Sequence, residues 1–210
     1  PEQEKAYQRM KLYMVAHAGG HEIDAVNAAD KIGKLRQILC GAVKDPETGE
    51  YVVLPHRPRL KVLLECIEQA SAKVLVVVPF KGIINALHGE VEKQYTCEVV
   101  NGDVTPKRRN EIYRRFKHET DPHILLCHPQ VMAHGLTFTE ADTLIFYAPI
   151  YSNEQSQQVM ERINRPGQVR PMTIIRIGAN ALEWDIYKQV EGRKVSQESI
   201  LDLYNRVLQS

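Results

Sequence analysis

The sequence predicts an α/β fold, doubly wound, in which a mostly parallel sheet is covered by helices on both faces. Leu60, Leu63, Leu64 and Ile67 recur at i, i+3, i+4 and i+7, the spacing of one buried helix face. Val74 to Val78 is then a continuous aliphatic run closed by Pro79, long enough for a strand buried on both sides. The same helix–strand alternation repeats through most of the remaining chain. Sequential strands separated by helices require right-handed crossovers and give a parallel sheet between two helical layers.

In chain order, residues 3–43 read as helical and polar, interrupted at Gly19-Gly20, with Ile32, Leu35, Ile38 and Leu39 forming an apolar stripe near the end. This is a lead-in helix or linker. His17 and His21, four apart and followed by Glu22, suggest a metal pair, but the two glycines remove the rigid helical presentation such a pair needs, so no metal site is expected. Asp45-Pro46 and Thr48-Gly49 precede Tyr51 to Leu54 and predict a turn or short hairpin.

After the helix near Leu60 and the strand at Val74, the pattern predicts a helix near 81–93, a strand near 95–100, a helix near 105–117 and a strand at 123–127. A strand at 143–147, a helix near 153–165, a strand at 172–177 and a helix from Leu182 follow. Trp184, read with Leu182 and Ile186, is expected in the core rather than as a stacking platform. Ile200, Tyr204, Val207 and Leu208 have helical spacing and predict a brace that packs back. The organisation is therefore a helical lead-in with a short hairpin over 1–54, a main lobe over 55–185 and a C-terminal helical brace over 186–210.

A chain of 210 residues buries one full core. Its 43% hydrophobic and 25% charged residues match a soluble globular protein, and no apolar run is long enough to span a membrane. The chain opens at Pro1 without a signal-like segment, which reads as a cut. Cys40, Cys66, Cys97 and Cys127 form neither a Cys-x-x-Cys knuckle nor a disulfide framework, so reduced thiols in an intracellular compartment are expected. That compartment is the cytoplasm of a bacterium or phage-infected cell, or the nucleus of a eukaryote. A net charge of +1 provides no global attraction to nucleic acid, and any such contact must come from local patches.

The segment from Gln157 to Gln168 carries the chemistry. Helical geometry over 153–165 places Gln158, Arg162 and Arg165 on one face, so that two guanidiniums point the same way. Arginine suits planar, multidentate contact with phosphate oxygens and cannot be discharged by a nearby cation. A solvated basic face is the plainer reading. It does not explain why Pro166-Gly167 ends the helix just after Arg165, fixing the arginines where open α/β sheets bind ligands.

Gln158 to Gln168 resembles motif VI of the Swi/Snf-type superfamily-two helicases: Gln, Arg four residues on, then Arg-x-Gly-Gln. Gly135 to Tyr147 resembles the end of motif V and the strand behind it. Val74 to Phe80 resembles motif IV, and Asn101-Gly102-Asp103-Val104-Thr105 with Arg109, Ile112 and Phe116 resembles the pattern that follows it. These matches run in family order over roughly residues 30–185. The Leu136-Thr137-Phe138-Thr139 wording is nearest the annealing-helicase branch.

The resemblance implies a RecA-like three-layer lobe, the second of two that clamp ATP with Mg2+ between them. The first lobe supplies the phosphate loop and the acidic magnesium box; the second supplies arginine fingers, which Arg162 and Arg165 match. Gln158 would orient the fingers or the nucleotide, with Gly135 and Thr137 on the same nucleotide side. The implied partners are DNA, double-stranded or branched, and the N-terminal RecA-like lobe of the same protein, with no membrane.

The sequence departs from the family in three places. Val131-Met132-Ala133 stands where the family has Ala-Gly-Gly, and His128-Pro129 where it has Ser-Thr, which leaves His128 and Gln130 as the DNA-backbone donors of this segment. Lys81, at the carboxyl end of the motif IV strand, is a further backbone contact. Asn164 replaces a histidine in motif VI. The chain's Gly33-Lys34 is followed by Leu35 rather than Ser or Thr, and no Asp-Glu dipeptide occurs, so it carries neither phosphate loop nor magnesium box. The basic run Lys107 to Lys117 reads as a solvated helix face with Ile112 and Phe116 inward, and Arg109 as structural.

Three functions remain open on sequence: the second motor lobe of a DNA translocase, a non-catalytic nucleic-acid binding or annealing module, and an unrelated transferase using Arg162 and Arg165 on an anionic substrate.

Overall fold

The computed structural model describes residues 2–13, 15–18, 21–25, 28–133 and 137–192. Its centre is a five-stranded sheet built from β5 (Lys73–Val77), β6 (Cys97–Val100), β7 (Ile124–Cys127), β8 (Ala141–Phe146) and β9 (Thr173–Arg176), in the order β6-β7-β5-β8-β9. Each pairing in this sheet is parallel, so the carboxyl ends of β5, β7 and β8 gather on one edge.

The layers follow from the two-residue period of a strand. Val74 and Val76 join Ile124 and Leu126 beneath Leu63 and Ile67 of α3 (Arg57–Glu68) and Ile84 and Leu87 of α4 (Lys81–Val91). Leu75 and Val77 point the other way, with Leu125, Leu144 and Phe146, against Ile112 and Phe116 of α5 (Pro106–His118) and Val159 and Ile163 of α6 (Asn153–Ile163). A strand covered on both sides favours apolar residues at every position, which is why Val74 to Val77 of β5 read as an unbroken aliphatic run. Thr105 caps α5, accepting from the Arg108 N–H at 3.3 Å just ahead of Pro106, and Ser152 caps α6, accepting from the Gln155 N–H at 3.1 Å.

The N-terminal segment differs from expectation. It holds α1 (Glu2–Tyr13), β1 (Val15–Ala18), β2 (His21–Asp24), α2 (Ala28–Cys40), β3 (Ala42–Lys44) and β4 (Tyr51–Val53). Residues 15–18 and 21–24 pair as antiparallel strands, Val15 with Asp24 and His17 with Glu22, rather than forming a helix. Gly-Gly between short segments containing Val15 and Ile23 is a hairpin signal that outweighs the helical reading. The side chains of His17 and His21 lie outside the described residues. The expected hairpin at 44–54 forms, β3 pairing with β4 and Asp45 Oδ1 accepting from the Glu47 and Thr48 N–H groups at 2.8 and 3.2 Å.

A third core joins α1 and α2 to the last described helix. Ala6, Tyr7 and Met10 of α1 and Ile32, Leu35 and Ile38 of α2 pack with Leu182, Ile186 and Val190 of α7 (Ala181–Glu191). The lead-in is thus packed onto the lobe, and α7 runs straight through position 186. Trp184 departs from expectation: it is 43% exposed, its indole lying over Gly178, where an added Cβ would meet Cε2 at 2.7 Å. Two residues turn a helix by about 200°, so Trp184 faces away from the stripe of Leu182 and Ile186. The tail residues Ile200, Tyr204, Val207 and Leu208 lie outside the described residues. All four cysteines are free, and no described helix is long and apolar enough to cross a membrane.

Candidate functional site

Open parallel sheets bind ligands at the carboxyl ends of their strands, and three loops emerge there: Pro79 to Lys81 after β5, His128 to Ala133 after β7, and Tyr147 to Ser152 after β8. The second of these is a short 3-10 segment, Pro129–Ala133.

The first two loops are tied together. The Gln130 N–H donates to His128 Nδ1 at 3.4 Å, so Nε2 carries the imidazole proton and donates to the Pro79 carbonyl at 3.1 Å. Burial pushes the His128 pKa below the ordinary imidazole value; the Pro79 carbonyl opposes that shift and Lys81 adds to it. The Lys81 ammonium pairs with Asp103 at 2.7 Å. Lys81, His128 and Gln130 are therefore brought to one edge. Both His128 ring nitrogens are engaged within the chain, while the Gln130 side chain is exposed and Lys81 is partly so.

The arginine segment differs from the geometry expected of it. Helix α6 ends at Ile163, because Asn164 adopts φ −83°, ψ 77° and leaves the helical path. Arg165 therefore lies beyond the helix, in a turn that continues through Gly167 at φ 105°, with the Gln168 N–H donating to the Arg165 carbonyl at 3.0 Å. The shared helical face holds for Gln158 and Arg162 but not for Arg165. Arg162 is buried, and its Nε donates to the Met132 carbonyl of the 3-10 segment at 3.0 Å. Its own carbonyl accepts from the Phe138 N–H at 2.8 Å. Arg165 is only partly buried; its Nε donates to the Glu161 carbonyl at 3.0 Å and its Nη1 to Thr137 Oγ1 at 3.4 Å. The structure thus joins Arg165 to Thr137, whereas the Gln158 amide bonds Glu154 at 3.1 Å, one turn back along α6. Gly135 lies outside the described residues.

Arg109 donates to the Val104 carbonyl at 3.1 Å and to that of Asn101 at 3.4 Å, closing the loop ahead of α5. The basic run on α5 meets acid: Arg108 and Arg115 each reach Glu98 at 2.8 Å, and Arg114 reaches Glu119 at 2.8 Å.

Among the buried charges that sequence reading missed, three meet near the loop after β8. Arg36, on α2, donates from Nη2 to the Pro149 carbonyl at 2.6 Å, with its Cζ 4.3 Å from the Tyr151 ring centre and 5.2 Å from that of Phe80. Burial pushes its pKa down, and the neighbouring Tyr151 and Cys40 oppose the shift. Arg59, on α3, donates to the Tyr147 carbonyl at 2.6 Å and pairs with Glu183, whose carboxylate also accepts from the Ala179 N–H at 2.8 Å. Burial works against the Arg59 charge, but Cys40 and Glu183 outweigh it and its pKa is raised. Two buried guanidiniums therefore hold carbonyls of the loop that leads into α6. The available signal was position: Arg36 lies within the apolar stripe of Ile32, Leu35 and Ile38.

The profile of the helicase conserved C-terminal domain matches residues 58–167. Two curated relatives are each 27% identical: the chromatin-remodeling ATPase INO80 of Arabidopsis thaliana over 56% of this chain, and the TATA-binding protein-associated factor mot1 of Aspergillus fumigatus over 82%. The chain spans 8% of the first and 9% of the second. Among solved structures, the C-terminal part of the Fun30 ATPase domain superimposes with a TM-score of 0.63 at 17% identity, covering 72% of this chain and 53% of that one.

Proposed function

The chain belongs to the helicase conserved C-terminal domain family, and from that premise we propose that it is the C-terminal lobe of a Swi/Snf-type ATPase, the second motor lobe of an ATP-dependent DNA translocase. ATP with Mg2+ would be held mainly by an N-terminal RecA-like lobe of the same protein, since this chain carries neither a phosphate loop nor an Asp-Glu pair. The observation that carries the reading is Arg165: a partly exposed guanidinium held in a fixed orientation by Glu161 and Thr137 at the end of α6. A guanidinium fixed before reaction stabilises charge that develops on a transferred phosphoryl group without reorganising. Arg162, buried on Met132, would hold the 3-10 segment and α6 in register. Gln158 is half-exposed on the preceding turn, where it would contact the nucleotide. Lys81 and Gln130 would contact a DNA phosphate backbone, with His128 bracing the segment that presents Gln130.

In the full-length protein, Arg165→Ala lowers ATP turnover by at least about a hundredfold, with nucleotide affinity and Tm little changed, and Arg165→Lys restores only part. Arg162→Ala lowers both turnover and Tm, because it also empties a buried site. Near-normal turnover in Arg165→Ala removes the finger assignment.

A second reading, a nucleic-acid binding or annealing module without turnover, is favoured by one observation. Val131 and Met132, standing where the family has small residues, are buried apolar side chains in the core. Turnover by the full-length protein in the presence of duplex decides between the two readings.

A further inference from the structure

We infer that Arg36 is a positioning residue that couples the nucleic-acid edge to the arginine-bearing helix, an inference resting on the motor-lobe reading above. Its guanidinium sits beyond the carboxyl ends of β5 and β8, which are neighbours in the sheet. Tyr151, under the guanidinium at 4.3 Å, directly precedes Ser152, the cap of the helix that carries Gln158 and Arg162. Phe80, at 5.2 Å, is the N-cap residue of α4 and directly precedes Lys81. One side chain from a third element thus contacts the residue before Lys81 and the residue before the α6 cap.

Arginine is the residue type such a seat requires. It stacks flat on an aromatic ring while donating in its own plane, here to the Pro149 carbonyl at 2.6 Å. Packed interiors shift between discrete arrangements rather than deforming smoothly, so a displacement at Phe80 and Lys81 reaches Tyr151 and the start of α6 through this side chain. The seat is also not optimised for stability alone. Among the described residues, Arg36 Nε and the Tyr151 hydroxyl are both buried without a hydrogen-bond partner, a costly pairing of orphans that a second arrangement of the loop would relieve.

The test uses the full-length protein and duplex-stimulated ATP turnover. Arg36→Gln lowers the stimulated kcat at least about tenfold while KM for ATP and duplex affinity stay within about twofold. Arg36→Lys recovers part of the loss, keeping a donor for Pro149 without the planar face. Tyr151→Leu reproduces the loss and Tyr151→Phe does not, because only the former removes the ring. Should Arg36→Gln fail to fold, Tyr151→Leu carries the test alone, since it leaves the Arg36–Pro149 bond in place. Full stimulation in the folded Arg36→Gln protein or in Tyr151→Leu overturns the inference, as does an equal loss in kcat and in both affinities. A wild-type protein without duplex-stimulated turnover overturns instead the motor-lobe reading.

Discussion

Glu183 has no solvent exposure, and its carboxylate is held by Arg59 and the Ala179 N–H. Removing a charge from water costs several kcal/mol, which the partner repays only while it remains in place. Glu183→Gln therefore leaves the Arg59 guanidinium buried and uncompensated, and lowers stability by about 3 kcal/mol in chemical denaturation. The double change Arg59→Met with Glu183→Leu costs much less than the two single changes added together, because neither residue is left charged and alone. Additive single-site losses would show that the pair is not coupled. Among the described residues Arg36 makes no ion pair: Glu183 acts on it only through space, and its direct contacts are a carbonyl and two aromatic rings, which makes them informative about the loops.

At the scale of elements, the packing of the lead-in depends on how α2 stops. Gly41 has φ 98° and its N–H donates to the Ile38 carbonyl at 3.0 Å, a left-handed helix end that turns the chain into β3. A Cβ there would run into the His56 side chain. Gly41→Ala is expected to cost at least about 2 kcal/mol in denaturant melts, combining left-handed strain with displaced packing; an unchanged midpoint would show that the helix end relaxes freely. Elements with a strong apolar pattern were legible in sequence: the run Val74 to Val78, buried on both sides, and the one-sided stripe of Leu60, Leu63 and Ile67 can be little else. Motif VI was legible as a pattern, but its geometry was not, because nothing in Asn164 announces that the helix ends before Arg165. The hairpin at 15–24 was lost because a Gly-Gly pair breaks a helix and turns a hairpin equally well. Arg59 and Glu183 resemble any polar helix residues, and their burial follows from α3 and α7 meeting around the end of β8, a tertiary fact without local signature; Arg36 alone carried a hint, its place in the stripe of Ile32, Leu35 and Ile38.

For the whole molecule, 27 basic and 26 acidic residues leave a net charge of +1, and the structure pairs many of them locally. Arg108, Arg114 and Arg115 on α5 are shared with Glu98 and Glu119, and Lys81 with Asp103. Affinity for duplex DNA scales with the number of phosphates neutralised and the counterions released. With Lys81 as the one cation proposed to meet phosphate at the carboxyl edge, a log–log salt slope near about −1 follows, so affinity falls roughly 3- to 4-fold between about 50 and 200 mM salt. Purified residues 1–210 should therefore bind a labelled duplex weakly, without sequence preference and with this modest slope, and should not turn over ATP, having no phosphate loop of their own. A slope steeper than about −5 would mean that the α5 arginines leave their acidic partners for DNA, making that helix part of the binding surface. Salt-independent binding would place the contact on apolar or base-stacking surface instead, for which the half-exposed Trp184 over Gly178 is the first residue to substitute.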